Sequence, residues 1–297
     1  MSILNGNNDK IIRTNVVENL NVEDVIGSGG FYTSITIKDG KTGRILQSMH
    51  NTTVLGGRIA QLEELFGISK NSDQHLLLND TIGINHSETN SVLNSQTIKR
   101  KCNYFMVGDG ASSTSVPGKY YSPKNYETKL YNPIPFRMVP LASDLSTSEQ
   151  AKYAFRKIEE VNGTQYVSYF AKKFNPGNVI LEYNASTYKP VESHTTPVDE
   201  NDATHPLRGG SVLAYISFTI DIAEEELKEY FRIHDGNITN CAMSEIGLVY
   251  GAALPNANDS NRNELAAAEL LSKLTSASVA LSEDGSSRQI QYKIYAR

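Results

Sequence analysis

The eight residues Met243-Ser244-Glu245-Ile246-Gly247-Leu248-Val249-Tyr250 form an apolar run with one charge in it, Glu245. Such a run, ended by Gly251-Ala252-Ala253, suits a strand buried within a sheet better than a surface facing water. With the strand-like tail Gln289 to Ala296 behind it, it predicts the last part of a β-rich shell packed against itself. It also predicts that Glu245 meets a backbone group or a basic partner at the edge of that strand, because an unpartnered buried carboxylate is costly. No acid, base or ligand set accompanies the run, so it points to assembly and not to catalysis.

The same reading extends along the chain. Phe31 to Lys38 alternates, with Phe31, Thr33, Ile35 and Ile37 on one face, and Asp39-Gly40-Lys41-Thr42-Gly43 has the turn chemistry to return it through Arg44 to Met49 as a hairpin. Thr52 or Thr53 can cap a helix that carries Ile59, Leu62, Leu65 and Phe66 on one stripe and stops at Gly67. A polar connection follows, with a small apolar patch at Leu76-Leu77-Leu78 that suits a minor strand. Tyr104 to Val107 predicts a buried strand that ends in Gly108-Asp109-Gly110. Ser146-Thr147-Ser148-Glu149 has the form of a capping box, and Ala151, Ala154, Phe155, Ile158 and Val161 follow at helical spacing up to Asn162-Gly163, although the aromatic residues there also suit a strand.

Gln165 to Phe174 and Val179 to Tyr183, joined by Asn175-Pro176-Gly177-Asn178, predict a second hairpin. Ser211 to Ile220 predicts a long strand, Asp221 a cap for a helix Glu224 to Phe231, and Glu264 to Leu274 a further helix before the closing strand Arg288 to Tyr295. Strands outnumber helices. The fold class expected is therefore α+β, mainly β, with antiparallel sheets or a sandwich, a few short helices and long loops. Residues 1–30, polar and ending in Gly27-Ser28-Gly29-Gly30, are expected to be an extended N-terminal arm, and 31–297 a β-rich core with loop insertions at 71–96 and 117–140. No repeat of fixed period is present.

Composition excludes several classes. At 297 residues the chain can bury a core without disulfides or metals, and its two cysteines, Cys102 and Cys241, have no CxxC spacing. No apolar stretch approaches the roughly 20 residues that cross a bilayer, and the first residues lack the pattern of a secretory signal, so cytoplasmic synthesis is expected. A net charge of −5 argues against a general grip on nucleic acid. The one dense basic run, Lys99-Arg100-Lys101, reads as a solvated strand edge. Sixteen Tyr and nine Phe without Trp suit contacts that keep one polar tip wet.

Candidate chemistry is thin. Gly27-Ser28-Gly29-Gly30 lacks the spacing of a dinucleotide loop, and no phosphate-loop or GxSxG motif occurs. Asp109 sits at a strand end where catalytic groups occur, but Gly-Asp-Gly is also ordinary turn chemistry. His194, Asp199, Glu200, Asp202 and His205 hold the right atoms for a metal without the spacing of a zinc or calcium site. Cys102 needs a distant His to be a nucleophile, and neither His50 nor His234 has one beside it. The carboxylates Glu224, Glu225, Glu226 and Glu229 read as the solvated face of a helix, with Leu227, Tyr230 and Phe231 turned inward. The expectation is a protein that is not an enzyme, with no catalytic, cofactor-binding or metal residues and no cofactor.

Four stretches together resemble structural proteins of contractile-tailed bacteriophage virions. Cys102-Asn103-Tyr104-Phe105-Met106-Val107-Gly108-Asp109-Gly110 resembles the strand and glycine turn near the front of tail and baseplate proteins, and Met243 to Tyr250 resembles their later Glu-Ile-Gly-Leu segment. Leu270 to Thr275 with Gln289 to Tyr295 is similar to their closing helix-to-strand passage, and Gly43 to Leu46 with Asn51 through Arg58 is similar to a passage before a leucine-rich helix. The resemblance implies a non-enzymatic virion component, of the baseplate or an adjacent tail part, present in several copies and assembled in the host cytoplasm. Its implied partners are copies of itself and other virion structural proteins, with no nucleic acid and no membrane. A receptor- or carbohydrate-binding tail tip and a neck- or capsid-associated protein stand as alternatives.

Overall fold

A computed structural model describes residues 32–66, 77–78, 82–83, 92, 98–112, 119–183, 212–223, 225–236, 238, 241–255, 263–281 and 287–296. In chain order the elements are β1 Tyr32–Asp39, β2 Ile45–His50, β3 Thr52–Thr53, α1 Leu55–Phe66, β4 Lys101–Gly108, β5 Pro133–Ile134 and β6 Arg137–Pro140. A 3-10 turn at Leu141–Ser143, α2 Thr147–Gln150, β7 Tyr153–Val161, β8 Thr164–Lys173 and β9 Val179–Tyr183 follow. The remainder is β10 Val212–Ile222, α3 Lys228–His234, β11 Ala242–Pro255, β12 Asn263–Ala280 and β13 Arg288–Ala296.

The expected α+β, mainly β class is the one observed, built from two antiparallel sheets. One has the order β2-β1-β13-β10-β9, so the closing strand lies in its middle. The predicted first hairpin is present as β1 and β2, with Thr33, Ile35 and Ile37 buried. Its turn is closed by the Asp39 carboxylate, which accepts from the backbone N–H groups of Lys41 and Thr42 at 3.1 and 2.8 Å. The second sheet has the order β3-β12-β11-β4-β8-β6, with β5 on β4 and β7 on β8.

The two sheets face each other across one apolar core. Ile35, Ile37, Phe218, Ile220, Ile290 and Tyr292 of the first meet Phe105, Val107, Ile246, Leu248 and Leu274 of the second. The outer face of the second sheet is covered as well, where Tyr104, Met106, Val249 and Leu270 pack with Val54, Leu78 and Leu130. Strands β4 and β11 are therefore buried on both faces, which is why Tyr104 to Val107 and Met243 to Tyr250 read as continuous runs and not as alternation. Each fully buried Leu, Ile or Phe contributes about 1.5–3 kcal/mol.

Several local expectations are corrected by this packing. Glu264 to Leu274 is strand, because β12 pairs with β11 from Ala242↔Ala280 to Pro255↔Asn263 and is buried on both sides. Helix propensities differ by less than about 0.7 kcal/mol per residue and cannot outweigh such a ladder. Ala267, at φ 49°, lies in a bulge opposite Gly251, in the left-handed region that favours glycine, and the surrounding ladder holds it there. The capping box at Ser146 is real: its N–H and hydroxyl both donate to the Glu149 carboxylate, at 3.3 and 2.8 Å. The helix nonetheless stops at Gln150, and Ala154 to Val161 belong to β7. Asn162 and Gly163, both with positive φ, form the two-residue turn of a β7–β8 hairpin.

The second predicted hairpin is also redrawn. Strand β9 pairs with β10, not β8, so Asn175 to Asn178 carries the chain from one sheet to the other. Asp221 lies within β10 and caps nothing, and helix α3 begins at Lys228. Helix α1 follows its prediction, but Thr52 and Thr53 form β3, and Leu62 is exposed. The buried face of α1 is small: a Cβ on Gly57 would lie 2.0 Å from the Leu271 carbonyl oxygen, so glycine lets the helix lie against the backbone of β12. Leu77 and Leu78 are buried, and Leu78 has helical backbone. The expected insertion 117–140 contains β5 and β6, while the arm 1–30 and most of 71–96 lie outside the described residues.

Candidate assembly surface

Glu245, on the central strand β11, is 1% exposed and fully partnered, as its isolation in an apolar run predicts. Its Oε1 accepts from the Tyr131 N–H at 2.8 Å, and its Oε2 from the N–H groups of Asn132 at 3.1 Å and Gly110 at 3.2 Å. The Ser244 hydroxyl beside it accepts from the N–H groups of Ala111 and Ser112, each at 3.1 Å. Two adjacent side chains thus satisfy five backbone donors of two loops that the sheet would otherwise bury unpaired. The Gly-x-Gly turn after β4 makes the approach possible. A Cβ on Gly108 would sit 2.5 Å from the Asn132 carbonyl oxygen and 2.6 Å from Glu245 Oε2, and one on Gly110 would sit 2.7 Å from the Asn132 nitrogen.

The cation of this node is Lys273, on β12 opposite Gly247. Its fully buried ammonium lies 3.0 Å from Glu245 Oε1 and 2.8 Å from Glu127 Oε2, and donates to the Lys129 carbonyl at 3.2 Å. The ring of Tyr131 caps it, with its centroid 3.2 Å from Nζ. The Tyr131 hydroxyl in turn donates to Glu127 Oε1 at 2.5 Å. Burial on its own raises the Glu127 carboxyl, but hydrogen bonds from Lys273 and Tyr131 outweigh it and hold the group below its ordinary range. The Tyr131 phenol is pushed up, first by burial and then by the hydrogen bond to Glu127.

Over this node runs an irregular strap, residues 119–132, that presents tyrosines to solvent. Tyr120, Tyr121, Tyr126 and Tyr131 are 48, 61, 70 and 43% exposed. The strap is tied at one end by the bridge Ser112↔Tyr120 and the Tyr121 N–H donating to the Ala111 carbonyl at 2.9 Å, and at the other by Glu245. Tyr121 and Tyr131 meet edge to face, with ring centroids 6.1 Å apart and planes at 74°. The surface is aromatic and its backbone is fixed from beneath.

The other sequence candidates fall elsewhere. Asp109 lies beside the node, where its N–H donates to the Asn132 carbonyl at 3.1 Å and its Oδ1 accepts from Asn132 Nδ2 at 2.6 Å. Burial raises its carboxyl, and its bonds are those of a turn lock. Burial pushes the Cys102 and Cys241 thiols up to about 12, opposite to the shift that makes a nucleophile. The Nδ1 of His50 lies 3.1 Å from the Thr33 carbonyl oxygen, and His234 packs on the Tyr230 ring. His194, Asp199, Glu200, Asp202 and His205 lie outside the described residues, as does Gly27 to Gly30. Among the described residues no three His, Cys, Asp or Glu side chains converge as a metal site.

Two charged groups read as solvated are in fact buried. Glu226 accepts from the Tyr153 hydroxyl at 2.6 Å, from Lys172 Nζ at 2.7 Å and from the Ala223 N–H at 2.8 Å. Arg100 bridges Glu269, at 2.8 Å, and Glu63 on α1, and its guanidinium lies 4.6 Å from the Tyr250 ring centroid. Local pattern does not single out Lys273 as a buried cation. Its signal was present, a lone ammonium among small and apolar residues from Leu265 to Ala280, but the predicted helix offered a water-facing side for it.

A family described as of unknown function, DUF7208, matches residues 41–293, from the turn before β2 into β13. Comparison with curated proteins gave no match. Comparison with solved structures gave none either.

Proposed function

We propose that this chain, which belongs to the family of unknown function DUF7208, is a non-enzymatic structural component of a contractile-tailed phage virion, in the baseplate or an adjacent tail part. One observation carries the assembly half of this reading: the strap 119–132 holds four exposed tyrosines between two fixed ends, Tyr131 and Asn132 on buried Glu245, and Tyr120 and Tyr121 on Ala111 and Ser112, whose N–H groups donate to buried Ser244. Rigid aromatic side chains with a polar tip are the residues on which protein interfaces concentrate their energy, and a backbone fixed in advance loses little entropy on binding. The virion half rests on the resemblance of the segments around Cys102 to Gly110 and Met243 to Tyr250 to tail proteins. The partners are copies of itself and neighbouring virion proteins.

A carbohydrate-binding tail tip is the rival. Sugar stacking asks for a flat, shared aromatic platform, whereas Tyr121 and Tyr131 stand at 74° and the latter has one face on Lys273. That geometry favours edge-on contact with a protein surface. The test is a cryo-EM map of the source particle together with incorporation of a Tyr121→Ser, Tyr126→Ser variant. The strap should lie against a neighbouring subunit, and the folded variant should fail to enter particles. A strap facing open solvent in the map, or normal incorporation of the variant, overturns the proposal.

A further inference from the structure

The two sheets do not close completely. Between them lies a half-open space of about 350 Å³, walled by β10 and β13 on one side, β4 and β12 on the other, and Phe174 at the crossing from β8 to β9. Protein interiors seldom leave gaps larger than a water molecule, and a volume of this order falls in the range of small-molecule pockets. The walls are apolar, with Leu271 and Ile294 from facing sheets, and the lining carries no Lys, Arg, His, Asp or Glu among the described residues.

One polar group in the wall is left without a partner. Ser272 is 2% exposed, and its hydroxyl makes no hydrogen bond. It stands opposite Leu248 in the β11–β12 register and two residues before Leu274, both members of the core between the sheets, so its side chain faces the space. A buried hydroxyl with no partner is uncommon enough to call for one.

We infer that this space is a binding site for a small uncharged amphiphile, an alkyl chain ending in one hydroxyl or carbonyl, with the chain against Leu271 and Ile294 and the polar end on Ser272. The inference goes beyond the assembly reading and does not depend on it. A carboxylate or ammonium is the wrong head group, because the wall has no charge to pair with it and desolvating it there is prohibitive. No bond is made or broken in binding.

The test uses the full chain and the neutral solvatochromic dye Nile red, displaced by 1-dodecanol or by dodecanoate at pH 8. Saturable blue-shifted emission, displaced by the alcohol and at least tenfold less well by the carboxylate, is expected. Ala214 lines the space on the same face of β10 as buried Phe218. Filling it with Ala214→Phe should abolish both dye and alcohol binding at an unchanged melting temperature, and Ser272→Ala should weaken the alcohol about fivefold, one hydrogen bond's worth, while leaving the dye. Cys102 also lines the space, and gives a second readout should Ala214→Phe fail to fold. In a Cys241→Ala background, dodecanol should slow its modification by N-ethylmaleimide at least tenfold. Absence of saturable dye binding, dodecanoate as effective as the alcohol, dye binding retained by folded Ala214→Phe, or no protection of Cys102 each overturns the inference.

Discussion

Two buried ionic nodes on the second sheet have nearly the same composition and different consequences. Within the β11–β12 pair, opposite Gly247, Lys273 lies between Glu245 and Glu127 beneath the Tyr131 ring. Three residues further along β11, where Tyr250 pairs with Glu269, Arg100 lies between Glu269 and Glu63 over the Tyr250 ring. The Arg100 fork also donates to the Ala267 carbonyl at 3.2 Å, so it fastens sheet to helix through side chains and one carbonyl. In the Lys273 node the point charge leaves most of the carboxylate free, and Glu245 spends that capacity on three loop N–H groups. The choice of cation thus separates a node that clamps an element from one that shapes a surface.

The comparison can be broken at four places. Glu245→Ala has the largest expected effect, toward the upper end of the about 3–5 kcal/mol for breaking a buried pair, because three N–H groups lose their acceptor along with Lys273. Urea unfolding measures the loss, and hydrogen exchange should show Tyr131 and Asn132 unprotected. Arg100→Ala should cost about 3 kcal/mol by the same measurement, loosening α1 while the strap keeps its protection. Equal loss of protection in the strap would erase the distinction between the nodes.

Acid gives the third test. Glu127 titrates lower in the folded protein than its ordinary value of 4.5, so the unfolded chain takes up the proton first as pH falls. The stability it contributes is present above that value and is lost as pH falls through the folded one. Urea midpoints should therefore drop as pH is lowered below about 4.5, and Glu127→Gln should flatten part of that slope, whereas Arg100→Ala should leave the Glu127 part in place. The smallest effect on stability is expected from Tyr121→Ser with Tyr126→Ser, within about 0.5 kcal/mol per site, since both rings are exposed. A larger loss would mean that the strap is core and not contact surface.

Much of this fold is written in local pattern. The hairpin β1–β2, the buried strands β4 and β11 and the need of Glu245 for partners follow from alternation, apolar length and the cost of a bare charge. The failures share one cause. Glu264 to Leu274 and Ala151 to Val161 have helical spacing, and the capping box at Ser146 even forms, yet both segments lie beside strands that offer a ladder and a buried face. Val179 to Tyr183 is legible as a strand, but its neighbour is not, because pairing with β10 depends on which sheet the turn at Asn175 to Asn178 enters. Local pattern makes Arg100 and Glu226 look solvated because their partners are Glu269 and Glu63 in one case and Tyr153 and Lys172 in the other, all far off in the chain.

By itself the sequence determined the β-rich class, two of its buried strands and the position at which a charge had to be neutralised. These depend on periodicity and desolvation, which act over a few residues. Tertiary structure alone decided that Lys273 and the N–H groups of Gly110, Tyr131 and Asn132 neutralise it, that a tyrosine strap lies above, and that the sheets leave a space between them. Each of those joins residues far apart in sequence, and no local free energy ranks such encounters until the whole core has packed.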